Sequence, residues 1–208
     1  MDLNEQVVFF RFVFGCFGCI LLCFCDLELW FIFSTFVASL FYCCHMEERL
    51  LYRRCVLGID PGLSGGISVL GMDGVLLDVV VMPSTMQDLL DYLRRWVVGD
   101  YVPVCYMESV GYGLPGQSSS ATAKFARHNG HIEMALLSLG IKTNMVTPQK
   151  WMKSYQLGRS SGYSKTEWKN RLKSKAQQLF PSLGGLVTLK VCDSLLIAEY
   201  GRKQELGI

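Results

Sequence analysis

From residue 54 onward the apolar positions change period in a regular way. RCVLGID (54–60) and GISVLG (66–71) are short apolar runs separated by a Gly-rich turn, and GVLLDVVVM (74–82) is a third, with Asp73-Gly74 as the hairpin signal between the last two. Three strands joined by tight turns predict a meander. In 84–96 the period lengthens to that of a helix, with Leu89, Leu90, Leu93 and Trp96 recurring on one face and Ser84 or Thr85 placed to cap it. VPVCYMESV (102–110) then predicts a strand that carries one acid, Glu108.

The second half alternates in the same manner. GYGLPGQSSS (111–120) has loop composition, a helix is expected from Ala121 to about Leu139 with Gly140 as its stop, and 141–146 reads as a strand. Pro148 closes that strand, and another helical segment is expected from Trp151. The polar GRSSGYS (158–164) precedes TEWKNRLKSKAQQLF, which has helical periodicity up to Pro181. Last, VCDSLLIAEYGRK (191–203) reads as a helix that turns Leu195, Leu196 and Ile197 to a core and carries Asp193 in its first turn. Alternating strands and helices predict an α/β domain.

Residues 1–45 follow neither period. They hold six of the nine cysteines and only five charged residues, Asp2, Glu5, Arg11, Asp26 and Glu28. The run at 7–25 has the length of a membrane span but is interrupted by Arg11, and the run at 29–44 is shorter than the roughly 20 apolar residues a span needs. A membrane hairpin is one reading. The other is an extension outside the working domain, with Met46 as a start placed just before it. No basic start precedes the first run and no small-residue cleavage site follows it, so a secretory signal is not indicated, nor is an Arg- and Ser-rich transit peptide. The expected organisation is therefore an apolar, Cys- and Phe-rich extension at 1–45 and one domain at 46–208, long enough for a sizeable core. The domain's three cysteines, Cys55, Cys105 and Cys192, read as buried thiols of a reducing compartment.

Charge sharpens the division. The domain has 19 basic residues against 14 acids, whereas the extension has one against four. The excess gathers at 150–175, where Lys150, Lys153, Arg159, Lys165, Lys169, Arg171, Lys173 and Lys175 stand against Glu167 alone. Such a segment is either a phosphate-binding face or a solvated helix surface.

Three acids sit within or beside apolar elements: Asp60, Glu108 and Asp193. A carboxylate there needs a cation, hydrogen bonds or a metal to offset burial. An N-cap role explains Asp193 alone and a satisfied core carboxylate explains Glu108 alone. Convergence would explain all three and would give an oxygen-donor site for Mg²⁺, next to a basic helix, as a nuclease requires.

In order along the chain, GIDPGLSGGISV, YMESV, the Gly-Gln-Ser loop, VTPQKWMK, the Lys165–Pro181 stretch ending AQQLFP, and DSLLIAEYG resemble the RuvC-like family of Holliday junction resolvases, in particular its branch from phages, some bacteria and chloroplasts. The likeness spans nearly all of 54–203. It implies an RNase H-like fold with a mixed central sheet flanked by helices. It also implies a homodimer that cuts a four-way DNA junction symmetrically with Mg²⁺ or Mn²⁺. By position, Asp60, Glu108 and Asp193 would be the catalytic metal ligands. Pro61 and the glycines after it would turn the chain and leave room for a DNA backbone. Gln117, Lys124, Phe125, Arg127, Lys150, Lys153, Lys165, Lys169 and Lys173 are the expected DNA contacts, Phe125 having core packing as its alternative role, while Trp151 and Trp168 are expected to pack in the core. A bacterial or phage host would place the protein in the cytoplasm with the nucleoid, and an organelle is the other compartment the family implies.

One departure is visible. Family members place a fourth acid about one helical turn before the position of Asp193, where this chain has Leu189, Lys190, Val191 and Cys192. On a continued helix Lys190 would share a face with Asp193 and weaken metal binding. The competing reading is a junction-binding protein with weakened or lost cleavage. A reading from another class is the Asp-x-Gly phosphate turn of actin-like and sugar-kinase ATPases at Asp60-Pro61-Gly62, which needs a second domain for which this chain is too short. His128 and His131, three apart on a predicted helix, lack a third ligand nearby and read as surface or dimer-contact residues.

Overall fold

The computed structural model describes residues 54–98, 101–109, 111, 118–158 and 162–208. The expectations for residues 1–45 and for Gln117 lie outside these described residues.

The chain opens with β1 (Arg54–Asp60), β2 (Gly66–Gly71) and β3 (Leu76–Val81), followed by α1 (Met86–Val98) and β4 (Val102–Glu108). Then come α2 (Ser119–Ser138), β5 (Lys142–Val146), α3 (Pro148–Ser154), α4 (Lys165–Leu179), a 3-10 turn at Pro181–Leu186 and α5 (Cys192–Leu206). The strands form one five-stranded sheet in the order β3-β2-β1-β4-β5. β1 runs antiparallel to β2 and parallel to β4, so the sheet is mixed.

The central strand is apolar on both faces because both are covered. Cys55, Leu57 and Ile59 point to a core shared with Leu89 and Leu93 of α1 and Ile132 and Leu136 of α2. Val56 points the other way, into a core with Trp151, Leu172, Leu195 and Leu196 of α3, α4 and α5. The period of two along β1 thus sorts its side chains between two layers of helices.

Local signals set most boundaries. Gly74, at φ 86°, makes the β2–β3 turn, and the Gly71 amide bonds to the Val75 carbonyl across it at 2.9 Å. The α1 cap is Thr85, whose Oγ1 accepts from the Asp88 amide at 3.1 Å. Ser164 and Glu167 form a reciprocal capping box that starts α4. One expectation is corrected. Pro148 opens a helix as well as closing a strand, since its fixed φ suits the first helical position and Thr147 stands before it as the cap. The chain beyond Pro181 is a 3-10 turn, which apolar periodicity did not announce.

Candidate active site

The parallel register pairs Ile59 with Met107, so the next residues, Asp60 and Glu108, leave the C-terminal ends of adjoining strands together. Asp193 comes to the same end of the sheet from the first turn of α5. Gly58 permits that approach: a Cβ there would lie 2.1 Å from the Ser194 carbonyl oxygen and 2.3 Å from the Ala198 nitrogen. α5 therefore rests directly on the β1 backbone. A buried hydrogen bond between the Ser68 and Ser194 hydroxyls, 2.7 Å, ties its first turn to β2 as well.

The turn after Asp60 serves the carboxylate itself. Its Oδ1 accepts from the Gly62 amide at 3.2 Å, and a Cβ on Gly65 would stand 2.6 Å from its Cγ. Gly65 does not have a positive φ, so its smallness matters here rather than its conformational freedom.

Two neighbours from the helical layer complete the cluster. The Trp151 indole, fully buried on α3, donates from Nε1 to Glu108 Oε2 at 2.9 Å. Core packing alone, its sequence-based role, is thus half of what Trp151 does; the signal available in the sequence is that a buried indole N–H needs an acceptor. From α4, the Lys169 ammonium forms an ion pair with Asp193 Oδ2. Asp193 is buried and sits inside the helix behind the cap position Val191, which removes the N-cap reading.

Burial and mutual repulsion act on the acids. Asp60 is pushed up to about 6 by desolvation first and by Asp193 second, against the opposing pull of Lys169 and the Gly62 amide. Glu108 is pushed up to about 7 by desolvation and then by the charge of Asp60, with the Trp151 hydrogen bond opposing. Burial disfavours the Lys169 ammonium, but Asp193 and Asp60 outweigh it and leave its pKa raised.

In kind, these donors suit a hard divalent ion such as Mg²⁺ or Mn²⁺: converging carboxylates, two of them reluctant to ionise because burial and neighbouring carboxylates outweigh the pull of Lys169. In arrangement, Lys169 closes the cluster, and among the described residues no group of three or more His, Cys, Asp or Glu side chains is set to hold a metal ion. The donors match the ion in chemistry, while in this arrangement the positive charge beside them is Lys169.

The segment without a fourth acid also differs from expectation. α5 begins at Cys192, so exposed Lys190 lies in the preceding turn, its amide bonded to Thr188 Oγ1 at 3.3 Å, and shares no helical face with Asp193. The positive charge on Asp193 comes from Lys169, from another element altogether. Cys192 is buried, and its Sγ lies 3.2 Å from Asp193 Oδ1.

The other expected contacts are spread over the surface. Lys165, Lys169 and Lys173 fall four residues apart on α4 and form one stripe, of which Lys165 and Lys173 have no ion-pair partner among the described residues. Lys150 and Lys153 are exposed on α3, and Lys124 and Arg127 are exposed on α2 with Phe125 half-buried between them. Phe125 and Lys124 belong to the N-terminal half of α2, after the loop that contains Gln117. His128 corrects the surface reading: it is buried, and burial followed by the neighbouring His131 holds its pKa down.

Fold and sheet order define an RNase H-like α/β domain. A search of solved structures matches it to RuvC of Thermus thermophilus. One such structure, RuvC in complex with a Holliday junction substrate, has a TM-score of 0.55 at 15% identity and covers 74% of this chain and 96% of that one. A second Thermus thermophilus RuvC structure has a TM-score of 0.51 at 17% identity with the same coverage. No family model and no curated protein sequence matches the chain.

Proposed function

We propose that this protein is a divalent-metal-dependent endonuclease that resolves four-way DNA junctions by paired, symmetric phosphodiester hydrolysis. The observation that carries the reading is the convergence of Asp60, Glu108 and Asp193 from β1, β4 and α5 at one end of the sheet, beside the lysine stripe of α4. The motif order supports the phage, bacterial and chloroplast branch of the RuvC-like family. The junction bound in one of the similar structures supports the substrate class. Symmetric cutting implies two copies of the chain, one for each strand cut.

Asp60, Glu108 and Asp193 would hold Mg²⁺ or Mn²⁺, which would supply charge stabilisation at the phosphate and a more acidic bound water. Gly62 and Gly65 orient the Asp60 carboxylate, and Trp151 holds one oxygen of Glu108. Lys165 and Lys173 would hold the DNA backbone along α4. Burial of the acids keeps bulk water from screening their charges, which strengthens what a cation contributes there.

A second reading has its own support. The fourth acid is absent and Lys169 is ion-paired to Asp193, both of which favour a protein that binds junctions and cuts them weakly or not at all. The full chain, mixed with a synthetic four-way junction in Mg²⁺ or Mn²⁺, separates the two. Binding is read on native gels and cutting on denaturing gels, with D60N as control. Paired symmetric nicks that vanish in D60N establish the resolvase. A retarded junction with no nicks establishes the binding protein.

A further inference from the structure

Among the basic residues of the 150–175 segment described in the structure, Lys169 alone is ion-paired with an acid, and that acid is a member of the carboxylate cluster. The contact is internal: the Lys169 side chain is about one-third exposed and that of Asp193 one-tenth. It also has no counterpart at the other two acids, since Asp60 takes a backbone amide and Glu108 takes an indole, both neutral donors. A cluster of three carboxylates thus carries one fixed positive charge, delivered by a flexible four-carbon stem from a helix that otherwise packs through Trp168, Leu172 and Ala176. A compact ammonium on such a stem can leave its partner without moving the helix.

We infer that Lys169 is a tethered counter-cation that competes with the divalent ion for the Asp60–Glu108–Asp193 cluster, so that metal loading requires its withdrawal from Asp193. The inference rests on the reading of this cluster as a metal site. Two cations drawn to the same oxygens exclude each other, because an oxygen that donates to the metal cannot keep the full hydrogen bond to the ammonium, and the charges repel at close range. The ammonium keeps the apo cluster compensated, and loading requires more metal than the acids alone would set. The missing fourth acid fits this arrangement, since one fewer carboxylate lets a single lysine neutralise a larger share of the charge.

The test is Mn²⁺ binding to the full chain by titration calorimetry, for the unaltered protein, K169M, K169Q and K169R, with D60N as the control that the heat comes from this site. Circular dichroism melts establish that each variant is folded, and the two neutral variants guard against one of them failing. Mn²⁺ binding at least tenfold tighter in K169M or K169Q, with K169R close to the unaltered protein, is the expected result. Equal or weaker binding in the folded neutral variants overturns the competition while leaving the metal site standing. Absence of D60N-sensitive Mn²⁺ binding in every variant overturns the metal site and the competition together.

Discussion

Burial and the charge of Asp60 raise the Glu108 pKa, and Trp151 is the neighbour whose hydrogen bond opposes them. W151F removes the donor while keeping most of the ring, so the Glu108 pKa rises further. The expected outcome is an acid limb of the cleavage profile displaced to higher pH with a similar plateau, measured as nicking rate between pH 5 and 9. The cost in stability is about 1–2 kcal/mol from imperfect repacking. Gly65 is the complementary case on Asp60. G65A forces a methyl group against the carboxylate, and the expected result is retained junction binding with cutting reduced at least tenfold. Both acids were legible in the sequence because an isolated charge within an apolar run is costly. Trp151 and Lys169 were not assigned to the cluster because each reads as ordinary in its own segment, one an apolar residue and the other one lysine among several.

At the scale of elements, α5 on β1 is the contact that builds the site. An alanine at Gly58 would drive a Cβ into the helix backbone, where no rotamer change relieves it. G58A is expected to lose about 3 kcal/mol or more, the upper end of overpacking costs, measured by denaturant or thermal unfolding. α4 makes a different prediction, because its packing face and its lysine stripe are separate. K165A and K173A leave Trp168, Leu172 and Ala176 in place, so folding is unaffected and junction affinity falls. The log-log salt dependence of binding should decrease by about 0.9 for each phosphate contact removed, and an unchanged slope would assign these lysines to solvent. Periodicity located both helices to within two residues at their starts, and for α4 the Ser164–Glu167 capping box agrees with the apolar spacing. It could not show that Lys190 lies ahead of α5 instead of on it, because the first turn of that helix has no capping side chain to mark it.

For the whole domain, the carboxylate cluster links stability to pH. Asp60 and Glu108 have folded-state pKa values of about 6 and 7, above those of an unfolded chain. A group shifted upward contributes stability that is complete below its unfolded pKa, roughly 4, and is lost as pH rises through the folded value. From these two groups, the metal-free protein should become less stable between about pH 4 and 8, by several kcal/mol at about 1.4 kcal/mol per pKa unit. D60N should flatten that decline, and Mg²⁺ at pH 8 should reverse it, both read as shifts in melting temperature. The fold class was recoverable from the alternation of periods, and the sheet order was implied only through resemblance, because strand neighbours four elements apart leave no mark in local pattern.

The seating of α5 on Gly58 also bears on when the protein becomes competent. Asp193 belongs to the final helix, and its partners lie on the first and fourth strands, so the cluster closes only through contacts of long sequence separation. Such contacts carry the largest loop-closure cost and come late in folding. A chain still emerging from the ribosome can form the β1–β3 meander yet has no third carboxylate to offer. On the proposed function, cutting of DNA would then wait for synthesis and docking of α5.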